Sequence, residues 1–171
     1  ESSAVAAGDV TFWPVGFTLD SYKFVASSDK FLRAFVISII RVILGVAVNM
    51  LMMVITAYPL SRDNKQLAGR NIYAWFFVIT MLVGGGLIPT YLVIVKTGLI
   101  NSIWALILPG ALPVYNMVIL LNFFRELPKE LEEAARIDGA SFWSVLWKIM
   151  LPVCKPALAT VGLFCIVSHW N

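Results

Sequence analysis

Charge is scarce in this sequence. Only 13% of its 171 residues are Asp, Glu, Lys or Arg, and 60% are hydrophobic; soluble domains run at about 25% and about 45–50%. Mean hydropathy is +0.84. Too little charge remains to cover a water-facing surface, and the hydrophobicity excludes disorder. Histidine is nearly absent, with His169 alone, and the two cysteines, Cys154 and Cys165, lie in or beside one apolar segment. A disulfide framework or a metal site is therefore not expected. There is no phosphate-binding G-x-x-x-x-G-K-[ST] loop and no nucleophile–base pair, so no catalytic residue is expected. Basic residues are scattered rather than gathered in a stripe, which argues against nucleic acid despite a net charge of +3. The chain reads as an integral membrane protein.

What is present is four long apolar blocks. A bilayer core of about 30 Å takes around 20 helical residues. Residues 34–58, 72–95 and 103–124 are long enough to span, and 153–171 is a shorter fourth block. Residues 1–33 read as an external loop, with Trp13-Pro14 and Gly16, and with a short helix expected around Asp20 to Ser27. They lack the pattern of a signal peptide. The first residue is Glu and the last block stops at Asn171, so both ends are expected to be cuts through a longer protein. The expected fold is all-α, one polytopic transmembrane helical domain of about four spans.

Loop charge sets the expected orientation. Arg62, Lys65 and Arg70 lie in one connection, and Arg125, Lys129, Arg136, Lys148 and Lys155 lie in or beside another. Lys23, Lys30, Arg33 and Lys96 lie on the other side. The excess of basic residues places 61–71 and 125–152 in the cytoplasm.

Within the blocks, polar groups are few. Arg41 lies about seven residues into the first, roughly 10 Å deep; it either lines a polar path or snorkels to the outer interface with Arg33. Asn49 and Asn116 either line a translocation path or bond neighbouring helices. Gly84-Gly85-Gly86 with Pro89 interrupts the second block, and Pro109, Gly110 and Pro113 interrupt the third. Such breaks occur near transporter substrate sites and also serve as packing kinks.

Residues 125–152 differ from the rest. Pro128 can open a helix. Leu131, Ala134, Ala135 and Ile137 recur at helical spacing among Glu130, Glu132, Glu133, Arg136 and Asp138. Gly139 permits a stop or a sharp turn. A second helix, Ser141 to Met150, follows, and Pro152 ends it. An amphipathic helix lying on lipid needs a basic polar face. This one is mainly acidic, which favours a protein partner.

Glu133-Ala134-Ala135, three residues, Gly139, nine residues, then Ile149-Met150-Leu151-Pro152 resembles the EAA loop of binding-protein-dependent ABC importer permeases and meets every position of that pattern. The string RELPKELEEAARIDGAS, with GGGLIPTYL and ITAYPLSR, looks like the carbohydrate-uptake permeases, and within them the branch for oligosaccharides such as aldouronates. The resemblance covers essentially the whole chain. It implies the type I importer fold of six spans, of which two to five are present here. It also implies a bacterial inner-membrane location and four partners: a cytoplasmic ABC ATPase dimer that uses the ATP, a second and non-identical permease subunit, an extracytoplasmic sugar-binding protein and the lipid bilayer. The EAA helix would couple to the ATPase through Leu131, Glu133, Ala134, Ala135, Ile137, Asp138 and Gly139. Glu133 would bond the ATPase surface, Ala134 and Ala135 would permit close approach, and Gly139 would give the turn. Two other readings stay open, an ABC permease for a non-sugar solute and an ion-coupled secondary transporter. The latter needs intramembrane carboxylates, and all ten acidic residues lie outside the blocks.

Overall fold

The computed structural model describes residues 19–63 and 66–170. The readings made for Trp13, Pro14, Gly16 and the rest of residues 1–18, and for Lys65, lie outside them. Every element found among the described residues is helical. Contacts divide the chain into two compact units, residues 1–39 and 40–171. In the first, α1 covers Asp20–Ala26 and α2 begins at Asp29. Phe31 and Phe35, one turn apart, stack with ring centroids 6.3 Å apart.

Helix α2 is Asp29–Ser61, 33 residues, or about 50 Å at 1.5 Å per residue. It runs past Pro59, where the first apolar block was expected to stop. A proline in the last turn removes one amide donor, and the turn closes another way, with the Ser61 hydroxyl donating to the Tyr58 carbonyl at 2.7 Å. Helix α3 (Arg70–Leu82) and helix α4 (Leu87–Lys96) divide the second block, bent by 114° at the glycine run. Neither buries a residue within this chain. Helix α5 (Trp104–Ile107) and the 3₁₀ turn Leu108–Gly110 meet α6 (Val114–Glu126) at 52° across Pro113. Among the described residues one helix is long and apolar enough to cross a membrane, and up to four spans result if each bent pair is one span.

The second half of the 125–152 stretch departs from the expected regular helix. After α7 (Lys129–Ile137) comes α8 (Phe142–Val145), then a π-helical turn at Leu146–Met150, then α9 (Leu151–Val153). Pro152 has no amide hydrogen for the Lys148 carbonyl and its ring crowds that carbonyl. A single widened turn is how helices absorb such a defect. Helix α10 (Lys155–Trp170) leaves at 83° beyond Cys154.

The core of residues 40–171 lies where α2, α6, α8 and α10 meet. Met53, Ala57, Tyr58, Leu120, Phe124, Leu146 and Val161 are buried there. Tyr58 is its hub, with ring centroids 5.8 Å from Phe124 and 4.6 Å from Phe142. A polar contact joins the same elements deeper in the apolar block. The Asn49 amide lies 3.1 Å from His169 Nε2, with both residues buried. With its oxygen toward the imidazole, Oδ1 accepts from Nε2–H and Nδ2 lies 3.1 to 3.2 Å from the carbonyls of Gly45, Gly110 and Ala111. One amide thus ties α2 to α10 and to the kink before α6.

Gly45 makes this contact possible. A Cβ there would stand 2.6 Å from His169 Nε2 and 2.7 Å from Cε1. Gly45→Ala must displace an imidazole held by Asn49, an overpacking that costs about 1–3 kcal/mol. The expected outcome is a lower melting temperature of the complete protein in detergent. His169→Ala in the same background should relieve the clash, so that the double variant loses less than the sum of the singles.

Candidate functional site

The sequence elements that carry the EAA pattern fold into a short helix clamped from one side. Pro128 precedes the first turn of α7, and Glu130 and Glu132 lie in that turn, where negative charge suits the positive end of the helix dipole. The helix ends in a left-handed residue, Gly139, at φ +78°. The Ala140 amide donates to the Ala135 carbonyl at 2.9 Å and the Gly139 amide to the Arg136 carbonyl at 3.0 Å. These are the two bonds of a Schellman stop, which a side chain at Gly139 would strain. The next helix starts at once, capped by Ser141 Oγ, which accepts from the Ser144 amide at 3.3 Å.

Helical spacing gives α7 two faces. The inner face is Glu132 and Ala135, both buried. The outer face is Leu131, Glu133, Ala134, Ile137, Asp138 and Gly139, all exposed, with Ile137 86% accessible. Of the seven residues expected to couple to a partner, the structure therefore presents six outward. Ala135 is turned inward, against the core that contains Tyr58 and Phe124. Its small side chain lets α7 approach that core.

Glu132 is the residue that sequence reasoning left unassigned. Its carboxylate accepts from Arg62 Nη1 through Oε2 and from Arg136 Nη2 through Oε1, the latter at 2.6 Å. The Glu132 and Arg62 side chains are only 7% and 11% exposed. Arg62 also lies over the Tyr58 ring, 4.3 Å from its centroid. Burial pushes the Arg62 guanidinium below the usual arginine range, and the Tyr58 phenol opposes that shift. A second tie runs from Lys129 Nζ to Asp63 Oδ2 at 3.0 Å, and it holds the exposed Asp63 carboxyl below the usual carboxylate range. The connection after α2 and helix α7 therefore meet on one face, joined by a buried ion pair and an exposed one. The hint available in sequence was the i, i+4 spacing of Glu132 and Arg136; the partner 70 residues away had none.

Arg41 is half-buried on α2. Asn49 is engaged by His169, as described. Asn116 Nδ2 lies 3.8 Å from Cys165 Sγ, a contact between α6 and α10. In this structure both asparagines bond neighbouring helices. Among the described residues no group of His, Cys, Asp and Glu could hold a metal ion.

Removing the Glu132 charge leaves two guanidiniums facing each other without their shared carboxylate. Breaking one partner out of a buried pair costs about 3–5 kcal/mol. Glu132→Gln should lower the melting temperature of the complete protein far more than Asp63→Asn, whose tie is solvent-exposed. Equal effects of the two substitutions would contradict the clamp.

Comparison with known proteins places this geometry. Residues 23–171 match the family described as binding-protein-dependent transport system inner membrane component. Protein LplC of Bacillus subtilis (strain 168) is 46% identical over 159 residues, covering 93% of this chain and 53% of LplC. The polygalacturonan/rhamnogalacturonan transport system permease protein YtcP of the same organism is 43% identical over 158 residues, covering 92% of this chain and 54% of YtcP. A crystal structure of a bacterial ABC transporter involved in the import of the acidic polysaccharide alginate superposes with a TM-score of 0.92 at 32% identity, over 99% of this chain and 60% of that one. The chain thus spans about half the length of the curated relatives it matches. That family consists of membrane-transport components, not enzymes, and this chain belongs to it, as a segment of an inner membrane component of a binding-protein-dependent transport system.

Proposed function

We propose that the protein containing this chain is the permease subunit of an ATP-driven carbohydrate importer. It forms part of the translocation path and couples to a separate cytoplasmic ABC ATPase dimer through α7. A second, non-identical permease subunit and an extracytoplasmic sugar-binding protein complete the assembly. One observation carries this reading: α7 is fixed from behind by Glu132 and Ala135 while Glu133, Ala134, Ile137 and Asp138 face outward. A helix bonded to the ends of two long apolar segments transmits a push, and one with exposed small and acidic residues fits closely against a partner. The chain holds no phosphate-binding loop, so the ATP is the partner's.

The cargo class proposed is oligosaccharide, of the aldouronate kind. YtcP is named for polygalacturonan and rhamnogalacturonan transport, and the structural relative for alginate import; all these cargoes carry uronate carboxylates. Arg41 supplies a cation inside the first apolar segment, where a passing carboxylate would find a counter-charge. Arg41, Asn49 and Asn116 are the path residues proposed. All three would reach cargo only in a state that releases their present partners.

Ala134→Trp tests the coupling reading at a position where the side chain points away from the core. In the complete transporter, uptake should fall to background while the subunits remain assembled and the ATPase no longer responds to cargo. Gly139→Val should act in the same direction through the backbone, since a Cβ there meets no atom within 4 Å but φ is +78°. Normal cargo-stimulated uptake by both variants would overturn the assignment.

A further inference from the structure

Three segment ends converge beside α7 around a cavity of about 470 Å³. Ser61 closes α2, Arg70 opens α3, and Arg125 lies in the last turn of α6. Five cationic side chains line the cavity, those of Arg62, Arg70, Arg125, Lys129 and Arg136, against three carboxylates, those of Asp63, Glu132 and Glu133. Two of the carboxylates are already committed. Glu132 is shared by Arg62 and Arg136, and Asp63 is held by Lys129.

Arg70 and Arg125 are left over. Arg70 donates to the Arg62 carbonyl at 3.1 Å and to Asn71 Oδ1 at 3.2 Å, and Arg125 donates to the Leu60 carbonyl at 3.5 Å. Among the described residues neither forms an ion pair. Capping the final carbonyls of α2 explains why guanidiniums gather here. Two of their ten N–H donors reach carbonyls at the end of α2 and a third reaches Asn71 Oδ1; Asp63, paired with Lys129, is close enough to act on both charges, yet five cations still face three carboxylates. Two guanidiniums lining one cavity can bind the oxygens of a phosphate.

We infer that this cavity is a binding site for the phosphate of an anionic phospholipid headgroup. The position selects lipid over a dissolved anion. The cavity lies at the ends of three apolar segments, which on the permease reading above, on which this inference rests, is the cytoplasmic membrane boundary. Basic pockets between spans on that side are where anionic headgroups bind. One turn along α3 from Arg70, Tyr73 is 54% exposed, and Phe76 a further turn on is 59% exposed. These rings offer an apolar surface for acyl chains leading away from the arginines, with the tyrosine at headgroup level. A lipid held here would sit against α7 and the end of α2.

The test is lipid retention by the complete transporter in nanodiscs of phosphatidylcholine with a minority of phosphatidylglycerol, read by mass spectrometry of the lipid that stays bound on extraction. Wild type should retain phosphatidylglycerol about thirtyfold above its share of the bilayer, the size expected of two interfacial cations. Arg70→Gln with Arg125→Gln should abolish that enrichment, and Arg70→Lys with Arg125→Lys should keep most of it. Since the glutamines also remove the caps of α2, Gln66→Glu adds an anion at an exposed lining position and should cut the enrichment without touching a cap. No enrichment in wild type would overturn the proposal, as would full enrichment in a folded Gln66→Glu protein. Enrichment erased by millimolar inorganic phosphate would overturn the lipid assignment in favour of a soluble anion. None of these readouts depends on transport or on α7 docking, so failure here is distinct from failure of the coupling reading.

Discussion

A carboxylate buried between two guanidiniums is costly to build and more costly to break. Glu132 is that carboxylate, and most of the architecture around α7 follows from satisfying it. It draws Arg62 under α7, which brings the connection after α2 against the helix. Arg62 in turn covers the Tyr58 ring, and Tyr58 contacts Phe124 of α6 and Phe142 of α8. The ion pair itself adds little net stability over a well-packed apolar substitute. What it adds is a defined orientation. With Glu132 and Ala135 turned in, the phase of the helix dictates which residues face out.

Much of this was legible in the residues. Pro128 before α7, Gly139 after it and the polar break between 61 and 71 lie where chain stereochemistry and apolar length put them, because these are local effects. The glycine run and the Pro109–Pro113 stretch were readable as breaks for the same reason. The angles of 114° and 52° were not, since they depend on what each half packs against. The rotational phase of α7 was also hidden. Glu132 and Glu133 are chemically alike, and the choice of which one is buried depends on Arg62, 70 residues earlier. Asn49 was legible as a polar group inside an apolar block, but His169, 120 residues away, is what turns it into a helix tie. The widened turn at Leu146–Met150 had a visible cause in Pro152, yet a proline there fits a plain helix end as well as a π turn.

On the proposed coupling reading, the distribution of polar bonds suits a part that moves as one piece. The bonds around α7 are short in space and long in sequence: Arg62 to Glu132, Lys129 to Asp63, Arg125 to the Leu60 carbonyl. They tie the end of α2, the end of α6 and the whole of α7 into one block with the aromatic core behind it. A force on the outer face of α7 is then carried by ion pairs and aromatic contacts rather than by loop backbone. The Asn49 contact sits about 18 Å farther along α2, at 1.5 Å per residue from Ser61, and joins the same helix to α10 and to the kink before α6.

These two tie points divide the work along α2. At the α7 end the ties are ionic, partly solvent-exposed and numerous. At the Asn49 end there is one amide and one imidazole in apolar surroundings, where interhelical hydrogen bonds are worth about 0.6 kcal/mol on average and up to about 2. On that proposed reading, a displacement delivered through the stronger end would meet weaker polar resistance at Asn49 and His169, next to the Gly110–Ala111 kink whose carbonyls that amide faces. Contacts of a kcal/mol or so are the kind that an alternating-access step can exchange, and ion pairs sharing a buried carboxylate are not. On the proposed coupling reading, the asymmetry would make the α7 end the lever and the Asn49 region the place where helices part.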